Sequence, residues 1–265
     1  MSAIQLATVL PGAKPFKTGN VNDTFHGQVL LTDNTVRAAI LKDLDQKQLA
    51  NELLTSVLAR AAGLPTPDVY LALVRGDDLA VSKAPKLPDG NRMVFASVDV
   101  KVPNITFRVA AAKLDEQKQL LRDIILWGDL GSLYAFDAWV ANVDRHPGNL
   151  LFGGKNDVWL IDHGHCFSGP EWKPSDLRSD TDFRNRLSEW ITCHLTSEEK
   201  KKRSSEASKF TGIIASVNIS ASTEQSRIGS ILPKSDVEAL ESFLNQRVDK
   251  VPACANRALG VPTLV

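Results

Sequence analysis

The stretch that follows residue 132 constrains this chain more than any other part of its sequence. Leu133–Val143 is almost entirely apolar, which predicts a helix buried in a core. Asp144 and Asn149 come next, five residues apart, and Asp162 follows thirteen residues after Asn149. The longer interval holds two short apolar runs around a glycine-containing turn, which predict a hairpin that delivers Asp162 at its end. An acid, an amide and a second acid are therefore expected close together, at the ends of buried elements.

This set of side chains is the one that phosphoryl transfer requires. One carboxylate positions an acceptor hydroxyl and takes its proton, while an amide and a second carboxylate hold the metal ion on the nucleotide phosphates. We assign the first role to Asp144 and the second to Asn149 and Asp162. Two protein oxygens together with phosphate oxygens suit Mg²⁺, which binds few protein ligands. Gly164, two residues after Asp162, is expected to let the backbone turn sharply.

The residue pattern changes near residue 100. Before it, strands are predicted over 26–31, 36–42, 69–74, 79–82 and 93–98, because apolar and β-branched residues alternate with turn residues. Apolar residues at helical spacing predict one helix from Gln46 to Ala62, which Gly63 ends. After residue 100, helices are predicted over 115–127, 133–143, 197–216 and 235–248, and a loop over 168–182. Gly128 and Gly131 are expected to separate the first two of these helices.

Four residues of the N-terminal part are candidates for nucleotide binding. Lys42 ends an apolar strand, where a lysine is either an edge charge or a partner of nucleotide phosphates. Glu52, ten residues later on the predicted helix, is either solvated or orients Lys42. Asn20 lies in a small polar loop where a phosphate-covering loop belongs, although the loop has no glycine-rich motif. The strand that ends at Val98 is expected to lead to a hinge whose backbone binds adenine.

Composition narrows the class of protein. Lys plus Arg and Asp plus Glu number 31 each, and this zero formal net charge argues against a general nucleic-acid binder. Apolar residues make up 43% and charged residues 23%, values typical of a globular enzyme. The sequence shows neither an apolar run of the roughly 18–20 residues that span a bilayer nor the pattern of a signal peptide. Three well-separated cysteines do not suggest a disulfide framework, so a cytoplasmic location is expected.

The loop after the buried helix also carries a family resemblance. Asn142-x-Asp144-x-His146-x-x-Asn149 resembles the N-x-D-x-H-x-x-N pattern of HipA-like serine/threonine kinases. Its Asp144-Arg145-His146 core is similar to the D-R-H-x-x-N motif of phosphatidylinositol kinases. His146-Pro-Gly-Asn149 is similar to the loop of aminoglycoside-type phosphotransferases, which carry a histidine where this chain has Asn142. The resemblance covers most of the chain in order, and its specific part is the stretch over 142–164.

The resemblance implies a fold, two cofactors and a set of roles. The fold would be α+β and bilobal, protein-kinase-like, with a strand-rich N-lobe over 1–100 and a mainly helical C-lobe over 101–265. ATP would lie between the lobes together with Mg²⁺. The implied site residues are Asp144, His146 and Arg145 for catalysis, Lys42, Glu52, Asn20 and Val98 for cofactor binding, and Asn149 and Asp162 for the metal. His146 is expected to be structural or to contact phosphate, and Arg145 to pair with a phosphate or an acidic neighbour.

Three functions remain open at this point. The first is a protein serine/threonine kinase, the second a lipid or small-molecule kinase with the same site, and the third a non-catalytic nucleotide-binding protein. Residues 168–182 follow the metal-binding turn and are expected to shape the choice of acceptor. An extended groove there would favour a protein, a small closed acidic pocket an aminoglycoside-like alcohol, and a basic rim an inositol phospholipid.

Overall fold

A six-stranded sheet forms the N-terminal part of the molecule. A computed structural model describes residues 3–16, 22–76, 78–154 and 156–262. The strands are β1 (Gln5–Val9), β2 (Lys14–Pro15), β3 (Thr24–Leu31), β4 (Val36–Lys42), β5 (Val69–Val74) and β6 (Arg92–Val98). Their order in the sheet is β1-β5-β6-β4-β3-β2. The strands predicted over 26–31, 36–42, 69–74 and 93–98 are confirmed.

The sheet closes on itself. β1 pairs in parallel with β5 and antiparallel with the end of β3, so five strands form a ring and β2 pairs with the remaining part of β3. Ring closure satisfies strand edges that would otherwise stay unpaired. A small apolar core belongs to these strands and includes the buried side chains of Val9, Val29, Leu41, Ala72 and Val94.

A long buried helix connects this sheet to the rest of the chain. This helix, α1 (Gln46–Ala61), begins where the side chain of Asp45 accepts a hydrogen bond from the backbone N–H of Gln48. Gly63 follows its end with φ of +78°, a conformation that glycine adopts without strain. Leu53 and other apolar residues of α1 share one large core with the later helices. The predicted helix is confirmed, and its position makes it a link between the two parts of the fold.

Helices dominate the chain after residue 100. They are α2 (Ile105–Ala111), α3 (Leu114–Ile125), α4 (Leu130–Trp139), a short α5 (Leu187–Trp190), α6 (Ser197–Ser216), α7 (Ile219–Ser226), α8 (Lys234–Arg247) and α9 (Val251–Leu259). The four helices predicted here are confirmed, with end points that differ by a few residues. α4 is buried and packs against α6 and α9, while α1 packs against α7. Within the described ranges, none of the helices is long and apolar enough to cross a membrane.

The prediction that Gly131 breaks the chain between two helices is wrong. Gly131 lies inside α4 and is fully buried. A Cβ atom at this position would lie 2.5 Å from the Cβ of Glu206 and 2.8 Å from the backbone oxygen of Arg203, both on α6. Glycine is therefore used here for a close approach of two helices, which a sequence pattern cannot distinguish from a break.

The strand predicted over 79–82 is also wrong. This segment has no strand pairing, and its backbone instead binds the buried carboxylate of Asp43. The backbone N–H groups of Ser82 and Ala84 each donate to that carboxylate at 2.7 Å, and Lys83 donates at 3.1 Å. A side chain thus satisfies the donors that a neighbouring strand would have satisfied.

A two-stranded hairpin lies between the candidate metal ligands. Its strands, β7 (Leu150–Gly154) and β8 (Asp157–Leu160), pair antiparallel with Leu150 opposite Leu160. The predicted hairpin is confirmed. Because Asn149 precedes β7 and Asp162 follows β8, antiparallel pairing brings both residues to the same end of the hairpin.

Candidate active site

An ion-pair chain joins the sheet, α1 and the loop after β8. The Nζ atom of Lys42, at the end of β4, lies 2.6 Å from Oε1 of Glu52 on α1. The same nitrogen lies 3.0 Å from Oδ1 of Asp162. Oε2 of Glu52 accepts a hydrogen bond of 2.8 Å from the backbone N–H of His163. Three segments that are distant in sequence are therefore held together by one ammonium group and one buried carboxylate.

Burial and ion pairing have opposite effects on the pKa values of Lys42, Glu52 and Asp162. Burial disfavours the charged form of Lys42, but the adjacent carboxylates of Asp162 and Glu52 outweigh it and raise the lysine pKa. Partial burial acts to raise the pKa of Asp162, yet the ammonium of Lys42 lowers it to about 2. Burial raises the pKa of Glu52, and Lys42 offsets only part of that effect. Asp162 is thus held ionised, and its side chain remains 45% exposed.

The turn that presents Asp162 depends on a left-handed backbone at Asp162 itself. The φ angle of Asp162 is +60°, whereas the φ angle of Gly164 is not in the left-handed region. The sequence prediction that Gly164 provides the sharp turn is therefore wrong. Aspartate tolerates this conformation better than most residues because its short polar side chain can interact locally. The reversal at Asp162 lets its side chain meet Lys42 while the next residue, His163, is buried.

The loop that begins at Asn142 is closed by its own side chains. Oδ1 of Asn142 accepts a hydrogen bond of 3.0 Å from the backbone N–H of Asp144. The amide nitrogen of Asn149 donates to the backbone oxygen of Asp144 at 2.7 Å. Because its nitrogen is engaged, Asn149 offers its carbonyl oxygen, the atom type that Mg²⁺ prefers.

Arg145 is buried beneath this loop. Its guanidinium is paired with Asp137 on α4, with Nε 3.1 Å from Oδ2, and both side chains are completely buried. One terminal nitrogen of Arg145 donates at 2.8 Å to the backbone oxygens of both Asn149 and Ile161. Of the two partners expected for Arg145, the structure provides the acidic neighbour. We infer that Arg145 positions the loop and does not contact a substrate.

Asp137 was not identified from the sequence. Burial raises its pKa, and the nearby guanidinium of Arg145 offsets part of that effect. The sequence did indicate that Asp137 is unusual, because a single carboxylate in an otherwise apolar helix requires a buried partner. That partner lies eight residues later in the chain, beyond the reach of helical spacing.

His146 faces the carboxylate of Asp144. Its Nδ1 accepts a hydrogen bond of 3.0 Å from the backbone N–H of Gly148, which assigns the proton of the neutral ring to Nε2. Nε2 lies 3.7 Å from Oδ2 of Asp144. Burial lowers the pKa of His146, with a smaller opposing effect from Asp144. A Cβ at Gly148 would lie 2.6 Å from the ring of His146, so this glycine makes room for the imidazole.

Arg186 and Asn51 are site residues that the sequence analysis missed. Arg186, just before α5, forms an ion pair with Oδ1 of Asp144, and its buried Nε atom lies 3.7 Å from Oε2 of Glu189. The side-chain nitrogen of Asn51 on α1 donates to the backbone oxygens of Gly164, Cys166 and Gly169 at 2.8 to 3.2 Å. Neither residue belongs to a motif, and long-range folding alone brings them to the site.

Of the two remaining cofactor candidates, only Val98 can be placed, and it lies outside this cluster. Asn20 falls outside the described residues. Val98 pairs with Ala39 on β4, whereas Phe95 pairs with Lys42. Three residues along a strand correspond to roughly 10 Å, so Val98 lies at a distance from Lys42 that leaves room for a nucleotide base and sugar. Its contact with adenine stays a prediction.

The oxygen donors of the site fit a metal that is bound mostly by its nucleotide. In the ranges that the structure describes, no group of three or more His, Cys, Asp or Glu side chains is arranged to hold a metal ion. Asn149 and Asp162 contribute one amide oxygen and one ionised carboxylate. Mg²⁺ in phosphoryl-transfer sites takes one or two such ligands and completes its shell with phosphates and water. The residues present therefore fit Mg²⁺ on a nucleotide and would not fit a stand-alone metal centre.

The site combines an ion-paired lysine, a loop closed between Asp144 and Asn149, and a turn that presents a carboxylate. This combination is typical of kinases, the enzymes that transfer phosphoryl groups. The sequence model of the HipA-like kinases matches residues 38–219. The chain belongs to this family, which confirms the resemblance noted in its sequence. None of the curated protein sequences matches this chain significantly. Among solved structures, the proinflammatory kinase CtkA of Helicobacter pylori shares the fold, with 12% identity, a TM-score of 0.51 and coverage of 94% of this chain and 97% of that one.

Proposed function

We propose that this chain is an ATP- and Mg²⁺-dependent kinase that phosphorylates serine or threonine hydroxyl groups of a protein. The observation that carries the proposal is the position of Lys42, whose Nζ lies 2.6 Å from Glu52 and 3.0 Å from Asp162. A lysine that is held between these two carboxylates is oriented for nucleotide phosphates next to the carboxylate of the metal site.

Each residue of the site has a role in this proposal. Lys42 binds the phosphates, and Glu52 keeps its ammonium group in place. Asn149 and Asp162 would hold Mg²⁺, which would neutralise charge on the phosphate oxygens. Asp144 accepts a hydrogen bond from the acceptor hydroxyl and takes its proton, and His146 contacts the transferred group through Nε2. Catalysis then comes mainly from positioning and electrostatics.

We also propose the bilobal arrangement, with an N-lobe over residues 1–100 and a C-lobe over 101–265. An apolar core that belongs to the strands of the sheet alone supports a separate N-lobe, while the larger core joins α1 and residues of β5 and β6 to the later helices. Lys42 and Glu52 come from the first lobe, and Asn149 and Asp162 from the second. ATP would bind where the two sets meet. A cytoplasmic location stays a prediction.

The surface after the metal-binding turn supports a protein acceptor. An open depression of about 360 Å³ lies along residues 168–176, and Glu171, Trp172 and Asp176 are among its lining residues. Ser168 lines it, and its backbone N–H donates at 3.2 Å to the oxygen of Ala141, the residue before Asn142. The described lining carries two carboxylates and no cation. Such a surface disfavours an anionic phosphoinositide headgroup and fits an exposed polypeptide with basic residues near the acceptor.

Incubation with γ-labelled ATP tests the proposal. The acceptors would be a cell lysate, vesicles that contain phosphoinositides, and a panel of small alcohols and aminoglycosides. We expect label in protein, on serine or threonine, with the Asp144→Asn variant as the inactive control. Label only in lipid or in small alcohols would contradict the protein acceptor. Absence of label in every fraction, together with tight ATP binding, would indicate a non-catalytic nucleotide-binding protein.

A further inference from the structure

A charged cavity outside the candidate active site lies next to the segment that carries Arg186. It has a volume of about 150 Å³ and is lined by residues of the segment 182–188 and of α4, α8 and α9, with the carboxylates of Asp137 and Asp182 among them. Three arginines line it, Arg184, Arg247 and Arg257. The ion-pair chain of the candidate active site does not include any of them.

Arg247 is a buried cation without a carboxylate partner among the described residues. Its side chain is buried, and its donors meet backbone oxygens of Ala138, Ser179 and Thr181 at 2.7 to 3.0 Å. Its remaining terminal nitrogen has only the sulfur of Cys254, at 3.9 Å. Burial lowers the pKa of Arg247, but a guanidinium keeps its charge in proteins. The guanidinium lies 4.7 Å from the ring centre of Phe183 and 5.6 Å from that of Phe243, so aromatic rings face this charge and no carboxylate is paired with it.

The carboxylates around the cavity are already committed to other cations. Asp182 forms an ion pair with Arg257, and Asp137 is paired with Arg145 on the far side. Arg184 is held by both oxygens of Glu189, at 2.6 and 2.9 Å. The positive charge of Arg247 therefore has no compensating carboxylate of its own.

Asn185 supplies a neutral donor to the same wall. Its side-chain nitrogen is buried and has no hydrogen-bond partner among the described residues. Its side-chain oxygen is used, because it accepts from the backbone N–H of Leu187 at 3.1 Å. A buried amide donor without an acceptor is costly, and a bound anion would satisfy it.

We propose that this cavity binds a phosphate dianion, either free inorganic phosphate or the phosphoryl group of a phosphorylated serine or threonine side chain. Guanidinium groups bind phosphate oxygens in pairs, and the cavity is lined by Arg247, by the amide of Asn185 and by Arg257, whose pair with Asp182 a phosphate would have to share. The volume of about 150 Å³ leaves room for several water molecules or for one tetrahedral ion. It is smaller than the roughly 300 Å³ at which sites for larger organic ligands begin.

The site goes beyond the proposed phosphoryl transfer but lies next to it. Arg184 and Asn185 line the cavity, and the following residue, Arg186, forms the ion pair with Asp144. A phosphate bound behind this segment would fix the residues that flank the counter-ion of Asp144.

Thermal unfolding with added ligand tests the site on the full chain. The probes are inorganic phosphate, O-phosphoserine and, as a blank, serine, each titrated at constant ionic strength. The diagnostic variant is Asn185→Asp, which is isosteric, keeps the acceptor for Leu187 and places a carboxylate in the cavity. The matched control is Asn218→Asp, which also adds one negative charge and keeps the acceptor for the backbone N–H of Ala221. Arg257→Gln is a second diagnostic variant at a half-exposed position.

We expect phosphate to raise the unfolding midpoint of the wild type and of Asn218→Asp by about 2–4 °C in a saturable manner. The rise should be lost in Asn185→Asp and in Arg257→Gln. The rise should persist in Lys42→Met. Phosphate that bound at the proposed nucleotide site would be lost in this variant, so a persistent rise assigns the phosphate to the cavity. A larger effect of O-phosphoserine than of phosphate would identify a phosphorylated side chain as the ligand, and the reverse order the free ion. Equal shifts in all variants, or no shift in the wild type, would overturn the proposal whether or not the chain transfers phosphate.

Discussion

The Nζ atom of Lys42 lies 3.0 Å from Oδ1 of Asp162, although 120 residues separate them in the chain. Glu52 completes this contact from the other side, because it binds the ammonium group through one oxygen and the backbone of His163 through the other. The nucleotide-binding part and the metal-binding part of the site are thus connected by direct charge pairing.

Removal of Lys42 should affect both stability and activity. Lys42→Met leaves the carboxylate of Glu52 buried and unpaired, which we expect to cost about 3–5 kcal/mol of unfolding free energy. The double variant Lys42→Met/Glu52→Gln should recover most of that loss, since the buried charge is gone, but should remain inactive. Chemical denaturation and a labelled-ATP assay measure the two effects. Recovery of activity in the double variant would show that the lysine charge is not needed for transfer.

Acidification should weaken the contact between Lys42 and Asp162. The folded-state pKa of Asp162 is lowered from 3.8 to about 2, so its ionised form stabilises the fold above about pH 4. That contribution should disappear as the pH falls from about 4 through 2. The measurement is the difference in unfolding free energy between the wild type and Asp162→Asn across this range. A difference that stays constant down to pH 2 would show that the pKa of Asp162 is not lowered.

Gly148 tests the placement of His146. In Gly148→Ala the new Cβ would lie 2.6 Å from the imidazole ring, which must rotate away and lose its hydrogen bond. We expect kcat to fall about tenfold or more while the unfolding midpoint changes little, since a side chain at the surface of the loop can move. Gly154→Ala is the matched control, because a Cβ there meets nothing within 4 Å. Equal activity of the two variants would remove His146 from the site.

Asp137 tests the support beneath the loop. Asp137→Asn leaves the guanidinium of Arg145 buried without a counter-charge, and we expect a loss of about 3–5 kcal/mol in unfolding free energy. The control is Asp180→Asn, which breaks an exposed pair with Arg178 and should change stability by no more than about 1 kcal/mol. Similar losses in both variants would mean that burial does not increase the contribution of the Asp137–Arg145 pair to the unfolding free energy.

The sequence was most informative where chemistry depends on local spacing. The interval between Asp144 and Asn149 allows the amide to bind the backbone oxygen of Asp144, and a hairpin of fixed length returns the chain to Asp162. These features depend on neighbours in sequence, so their pattern predicts them. The turn was assigned to Gly164 because glycine is the usual left-handed residue, whereas the structure uses Asp162 for this conformation.

Contacts between distant segments were not predictable in the same way. β1 is short and only half apolar, and it becomes a strand because β3 and β5 supply partners on both sides. The 79–82 segment has strand-like composition, but the carboxylate of Asp43 takes its backbone donors. Asn51 and Arg186 reach the site only after α1 and the segment before α5 have packed. In each case tertiary partners decided the outcome, and a local pattern does not contain them.

The most direct test compares Mg–ATP affinity and phosphoryl transfer in two variants of the same loop system. Calorimetry and a labelled-ATP assay would be applied to Asp144→Asn and Asp162→Asn. The account predicts that Asp144→Asn binds Mg–ATP like the wild type but transfers no phosphate, and that Asp162→Asn binds Mg–ATP at least tenfold more weakly. Wild-type turnover by Asp144→Asn, or unchanged Mg–ATP affinity of Asp162→Asn, would contradict it.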